Sequence, residues 1–161
     1  MTDDGRTDFD FIVGGWLIRN RKLTDLTDRA CADWVEFDAT TEGVHLLGGL
    51  GNLDTFRVAD LPGRGPFEGF SLRLYDPATR LWRIWWGSTA QPGQLDVPVE
   101  GRFTDGVGQF FAEDVVGDEK VGVRFEYRNP SPAVARWEQA FSYDDGVTWQ
   151  VNWVMDWTRP E

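Results

Sequence analysis

Over much of this chain apolar and polar residues alternate one for one, and that two-residue period constrains the fold more than any other feature. Helices repeat their apolar positions every three or four residues, whereas strands with one buried face repeat every second residue. Val121, Val123, Phe125 and Tyr127 oppose Gly122, Arg124, Glu126 and Arg128. Trp137, Gln139 and Phe141 oppose Arg136, Glu138, Ala140 and Ser142. From Trp149 to Trp157 the odd positions read Trp, Val, Trp, Met, Trp, against Gln150, Asn152, Val154 and Asp156. Phe70, Leu72 and Leu74 alternate with Ser71 and Arg73, and Trp82, Ile84 and Trp86 with Arg83 and Trp85. Turn signals separate these runs at Asp76-Pro77, Asp105-Gly106, Gly117-Asp118, Asn129-Pro130 and Asp145-Gly146.

The pattern predicts an all-β chain of about eight to ten strands, closed into a single antiparallel up-and-down barrel. Short sequential connections favour a barrel over a sandwich, and strands of this length suit tilted staves. Thr7 to Gly14 reads as a short helical turn, and residues 1–8 as a loosely ordered tail. Asp60 to Pro66 and Thr89 to Pro98 are the loop candidates, and neither is long enough to divide the 161 residues into domains.

Charge removes several partners. Sixteen basic against twenty-seven acidic residues give a net charge of −11, and no basic cluster exceeds Arg19-Asn20-Arg21-Lys22. Nucleic acid and anionic membrane surfaces are therefore not expected partners. No run of 18 apolar residues reads as a membrane-spanning helix, and the acidic start does not read as a signal peptide. Cys31 is the only cysteine, so no internal disulfide forms, which fits the cytoplasm. Nine tryptophans imply either an aromatic-lined cavity or a core filled with bulky rings.

Phe9-Asp-Phe-Ile-Val-Gly-Gly-Trp16 resembles the opening of the lipocalins, the calycin-type barrels, where a helical turn leads into a Gly-x-Trp first strand. In that family the tryptophan plugs the closed end beneath an arginine that follows the last strand, a role the resemblance gives to Trp16 and Arg159. FDFIVGGW, GLGNLDTF, GFSLRLYDPATRLW, GRFTDGVGQF and RWEQAFSYDDGVTWQVNWVMDWTR together resemble an uncharacterised bacterial family of lipocalin-like domains. That likeness implies the barrel and carries no reaction, cofactor or catalytic residue. Ser142 to Trp149 is similar to the Asp-box of sialidase propellers, a structural hairpin. A single copy in so short a chain argues for a turn lock rather than a sialidase.

No residue pattern signals a nucleophile, a phosphate loop or a zinc site, and no cofactor is expected. His45 is the only histidine, and the glycine-rich run of small haem-binding barrels is missing after Trp16. The preferred function is binding of a small hydrophobic or aromatic molecule inside the barrel. Trp82, Trp86, Tyr127, Trp137, Trp149, Trp153 and Met155 would line it, with Gln139 as a polar contact and Arg73 or Asn20 adding an inward polar group. Two alternatives stand beside it. One is a cofactor-independent cyclase or isomerase acting on a natural-product intermediate, for which Arg124, Glu138 and Asp156 are acid, base or polarising candidates if their face points inward. Hydrophobic burial instead favours that face as an outward ladder of ion pairs. The other is a solid structural module, which leaves a homo-oligomer open.

Overall fold

The computed structural model describes residues 4–161. Its strands are β1 (Gly14–Leu23), β2 (Trp34–Leu46), β3 (Gly51–Leu61), β4 (Gly65–Asp76) and β5 (Leu81–Ser88), followed by β6 (Val99–Thr104), β7 (Val107–Val116), β8 (Glu119–Ser131), β9 (Val134–Ser142) and β10 (Gln150–Thr158). Each pairs antiparallel with its sequence neighbours, and β1 pairs with β10 to close the barrel. The expected all-β, up-and-down barrel is what forms. Closure removes the free edge strands of an open sheet, although β5 pairs with β6 only over Trp82–Ile84. No helix among the described residues is long and apolar enough to cross a membrane.

Asp105 and Gly106 show how the sequence sets the turns. Both have positive φ (52° and 80°), the geometry of a two-residue hairpin that matches strand twist. Asn129-Pro130 does not make the turn expected there. It lies inside β8 at a break in register, where the Asn129 amide donates to the carbonyls of Ser131 (2.7 Å) and Val134 (2.9 Å). The β3–β4 hairpin likewise runs into the expected Asp60–Pro66 loop, with paired strand reaching Leu61 and Gly65.

One end of the barrel is sealed by the N-terminal segment. A 3₁₀ turn at Asp10–Ile12 places Phe9 in the lumen, its ring 5.0–5.4 Å from those of Trp82, Phe103, Phe110 and Tyr127. Gly43 allows this close approach, because a side chain there would run into the Ile12 carbonyl. Of the expected tail, residues 1–3 lie outside the described residues. The described part is fastened down: Trp82 Nε1 donates to the Gly5 carbonyl (3.0 Å) and the Tyr75 hydroxyl donates to the Asp4 carbonyl. Trp16 sits beneath Arg159, whose guanidinium carbon is 3.8 Å from the ring centre. Both side chains donate to the Phe11 carbonyl at 2.9 Å, tying the first and last strands to the plug.

Two strands break the simple rule that the apolar face points inward. In β10, Val151 pairs with Ala140 and Trp153 with Gln139, so Asn152 is one residue extra. That bulge inverts the alternation. Trp153, Met155 and Trp157 face the lumen, and Trp149 and Val151 fall on the outer face. In β4 the inward residues are Gly69, Ser71, Arg73 and Tyr75, which leaves Phe70, Leu72 and Leu74 outside. Leu72 stands in an outer apolar row with Leu53 and Trp85 across three strands.

Candidate functional site

The inward positions divide into two tiers. Near the closed end lies a polar cluster around Arg73, which is 1% exposed. Its Nη1 donates to Asp54 Oδ1 (2.5 Å) and Asn52 Oδ1 (2.9 Å), and its Nη2 to the Tyr127 hydroxyl (3.2 Å). The guanidinium also lies 5.2 Å from the Phe9 ring centre. Burial works against the Arg73 charge, but Asp54 and Tyr127 outweigh it and hold the group more firmly protonated than usual. Burial raises the Tyr127 hydroxyl above its ordinary range, with Arg73 opposing. Tyr127 is therefore a neutral hydrogen-bonding group and not a base. With Phe9 packed against Trp82 and Tyr127, this tier is closed from below.

The upper tier is an aromatic wall. The Trp153 ring lies 5.4 Å from Trp137, 6.2 Å from Trp86 and 6.3 Å from Phe56, each edge-on. Trp153 Nε1 donates to Asn20 Oδ1 (3.0 Å) across the barrel seam. Met155 pairs with Trp137 on one side and Asn20 on the other. Gln139 also points inward, and its amide donates to Asn152 Oδ1 (2.9 Å), the side chain at the bulge. Trp86, Phe125 and Gln139 are only partly buried, so this tier is the less enclosed of the two.

Among the described residues six buried side-chain polar atoms have no hydrogen-bond partner. Five sit on inward positions: Asn20 Nδ2, Thr41 Oγ1, Arg73 Nε, Trp137 Nε1 and Trp157 Nε1. Trp137 and Asn20 flank Met155 in the upper tier, whereas Thr41 lies opposite Trp16 and the Trp157 ring is 5.8 Å from that of Trp16, near the plug. Each buried polar atom left without a partner costs about 1–3 kcal/mol.

Other expected site residues lie elsewhere. Trp149 is outside the barrel, packed against Phe111 (5.8 Å between ring centres) and under the Arg124 guanidinium (5.1 Å), because the β10 bulge reverses its phase. Arg124 pairs with Glu138 at 3.4 Å, and Arg136 with Asp156 at 3.1 Å. These are the outward ladder that burial favoured, so Arg124, Glu138 and Asp156 do not gather in the lumen as acid–base groups. His45 is exposed at the end of β2. The hairpin after β9 is locked as expected. Asp144 accepts from the Thr148 amide (2.8 Å) and hydroxyl (2.6 Å), and the Ser142 hydroxyl accepts from the Gly146 amide (2.8 Å).

A cleft of about 930 Å³ also runs over the outer face of β1–β4, between the Arg19–Asp38 and Arg57–Glu68 ion pairs. Its charges are mutually satisfied, and none of the unpartnered buried atoms belongs to its outward side chains. The lumen is therefore the stronger candidate.

Sequence reasoning missed Asn52, Asp54, Thr41, Phe9 and Phe56. Asn52, Asp54, Phe56 and Val58 do alternate, but with Leu53 and Thr55 between them either face reads as the core.

No protein-family model matches the chain, and no curated protein does. Among solved structures, the chain is similar to an S-type phycobiliprotein lyase from Guillardia theta, with a TM-score of 0.61 and 10% identity over 95% of this chain and 90% of that one. At that identity the likeness establishes a shared barrel fold.

Proposed function

We propose that the barrel binds a small aromatic or apolar molecule in its upper tier, against Trp86, Trp137, Trp153 and Met155. The observation that carries this reading is the pair of unpartnered donors Asn20 Nδ2 and Trp137 Nε1, which flank Met155 in that tier. An aromatic enclosure with a few convergent polar groups is the usual make-up of a small-molecule site. The structural neighbour, a phycobiliprotein lyase, shares the barrel fold in which the proposed site lies. Trp82 and Tyr127 pack against the Phe9 plug and form the floor rather than the contact surface. Arg73 braces that floor through Asp54 and Asn52.

Native mass spectrometry of freshly purified protein, beside a denaturing spectrum, tests the reading. A reproducible extra mass in the native spectrum alone supports it. A bare native mass, together with unperturbed tryptophan emission across a panel of apolar dyes, favours the solid structural module. A bound compound that is released with a changed mass favours the cyclase or isomerase alternative.

A further inference from the structure

The upper tier has a chemical polarity beyond its aromatic character. Two of its acceptors are already engaged: Asn20 Oδ1 takes the Trp153 indole, and Asn152 Oδ1 takes the Gln139 amide. What remains unpartnered around Trp153 is donors, Asn20 Nδ2 and Trp137 Nε1, on residues 0% and 5% exposed. An occupant that satisfies this wall must bring acceptor atoms.

A cation stands over the same ring. Lys22 occupies the inward position opposite Trp153, with Nζ 5.2 Å from the ring centre. It makes no ion pair among the described residues, whereas Arg19, Arg57, Arg83 and Arg136 on the outer face are all paired with carboxylates. Arg64, on the β3–β4 turn, also has no ion pair and adds to the positive field at Lys22. Burial and Arg64 lower the Lys22 ammonium below its ordinary range, with Asp25 and Cys31 offsetting in part. Two cations without ion pairs among the described residues thus stand near each other in a chain of net charge −11, with Asp25 offsetting them in part. The β7 side of the mouth is acidic, with Asp96 and Asp114 close enough to repel.

We propose that the site around Trp153 takes an aromatic or conjugated carboxylate, its acid group against Lys22 and its ring among Trp86, Trp137 and Trp153. The proposal rests on the barrel-binding reading and narrows its ligand class. A carboxylate supplies acceptors only, so it matches a wall of free donors and a cation better than an alcohol or amine does.

The test compares 2-naphthoate with its neutral amide, 2-naphthamide, by calorimetry or tryptophan quenching, on the parent protein and on Lys22→Gln. Naphthoate is expected to bind about tenfold or more tightly than the amide, and Lys22→Gln to erase that preference while changing amide affinity by no more than about twofold. Amide binding equal to or stronger than naphthoate binding overturns the carboxylate proposal and leaves the barrel-binding reading in place. An anion preference that survives Lys22→Gln also overturns it. Failure of both probes and of the neutral dye N-phenyl-1-naphthylamine to bind sinks the barrel-binding reading itself.

Discussion

Replacing Arg73 by methionine tests the buried cluster that forms the floor of the lumen. Arg73 is 1% exposed and Asp54 3%, and the two side chains meet at 2.5 Å. Arg73→Met fills similar space with an apolar chain but strands the Asp54 carboxylate, and it removes the donor to Asn52 Oδ1. Removing one partner of a buried pair costs about 3–5 kcal/mol, because the surviving charge is left desolvated. For a domain of this size each kcal/mol lowers the melting temperature by about 2–4 °C, so a fall of about 6–20 °C is expected. Urea denaturation followed by circular dichroism reads the free energy directly, and a thermal scan reads the shift. Taking both charges away together, with Arg73→Met and Asp54→Leu, is expected to recover much of the loss. A single Arg73→Met variant within about 1 kcal/mol of the parent refutes the reasoning, since that is the scale of a solvated surface pair.

Further consequences concern the plug, the hairpin and the outer face. Gly43→Ala drives a methyl group into the Ile12 carbonyl, so it is expected to lower stability by about 1–3 kcal/mol in thermal or urea unfolding; an unchanged melting point would show that the plug yields freely. Hydrogen bonds from the Thr148 hydroxyl and amide, then from Ser142, lower the Asp144 carboxyl from 3.8 to about 2. A group lowered on folding contributes stability above its unfolded value and loses it as pH falls through its folded value, so the hairpin lock holds at neutral pH and weakens between about pH 4 and 2. A carboxyl-carbon NMR titration of Asp144 with its midpoint near 4 would contradict the lock. Trp149→Leu is expected to leave dye and naphthoate affinity unchanged, since Trp149 packs outside on Phe111 and Arg124; a loss of binding would return it to the site.

Much of the barrel was legible because period-two alternation and turn chemistry agree along the chain. The Trp16–Arg159 stack was legible too, since both partners lie at the termini where the lipocalin likeness places them. What misled was phase. One extra residue at Asn152 moves Trp149 to the outside, and no local feature of Trp-Gln-Val-Asn-Trp announces it. In β4 the more apolar face, Phe70, Leu72 and Leu74, lies outward because Arg73 finds Asp54 and Asn52 on the adjacent strand. That pairing is a contact between strands, so the alternation within one strand cannot reveal it. The position of Lys22 was hidden for the same reason. In sequence it belongs to a short basic run, and only closure of β1 against β10 sets it over Trp153.

Indole N–H resonances in a ¹⁵N–¹H spectrum test the central claim most directly, with each assigned by its Trp→Phe variant. Trp16, Trp82 and Trp153 already donate to Phe11, Gly5 and Asn20, whereas Trp137 and Trp157 donate to nothing among the described residues. On adding 2-naphthoate or 2-naphthamide, the Trp137 signal is expected to shift downfield as it gains an acceptor, and the Trp16 and Trp82 signals to hold. Shifts confined to the outward Trp34, Trp85 and Trp149, with Trp137 unmoved, would place binding on the outer surface and contradict the account.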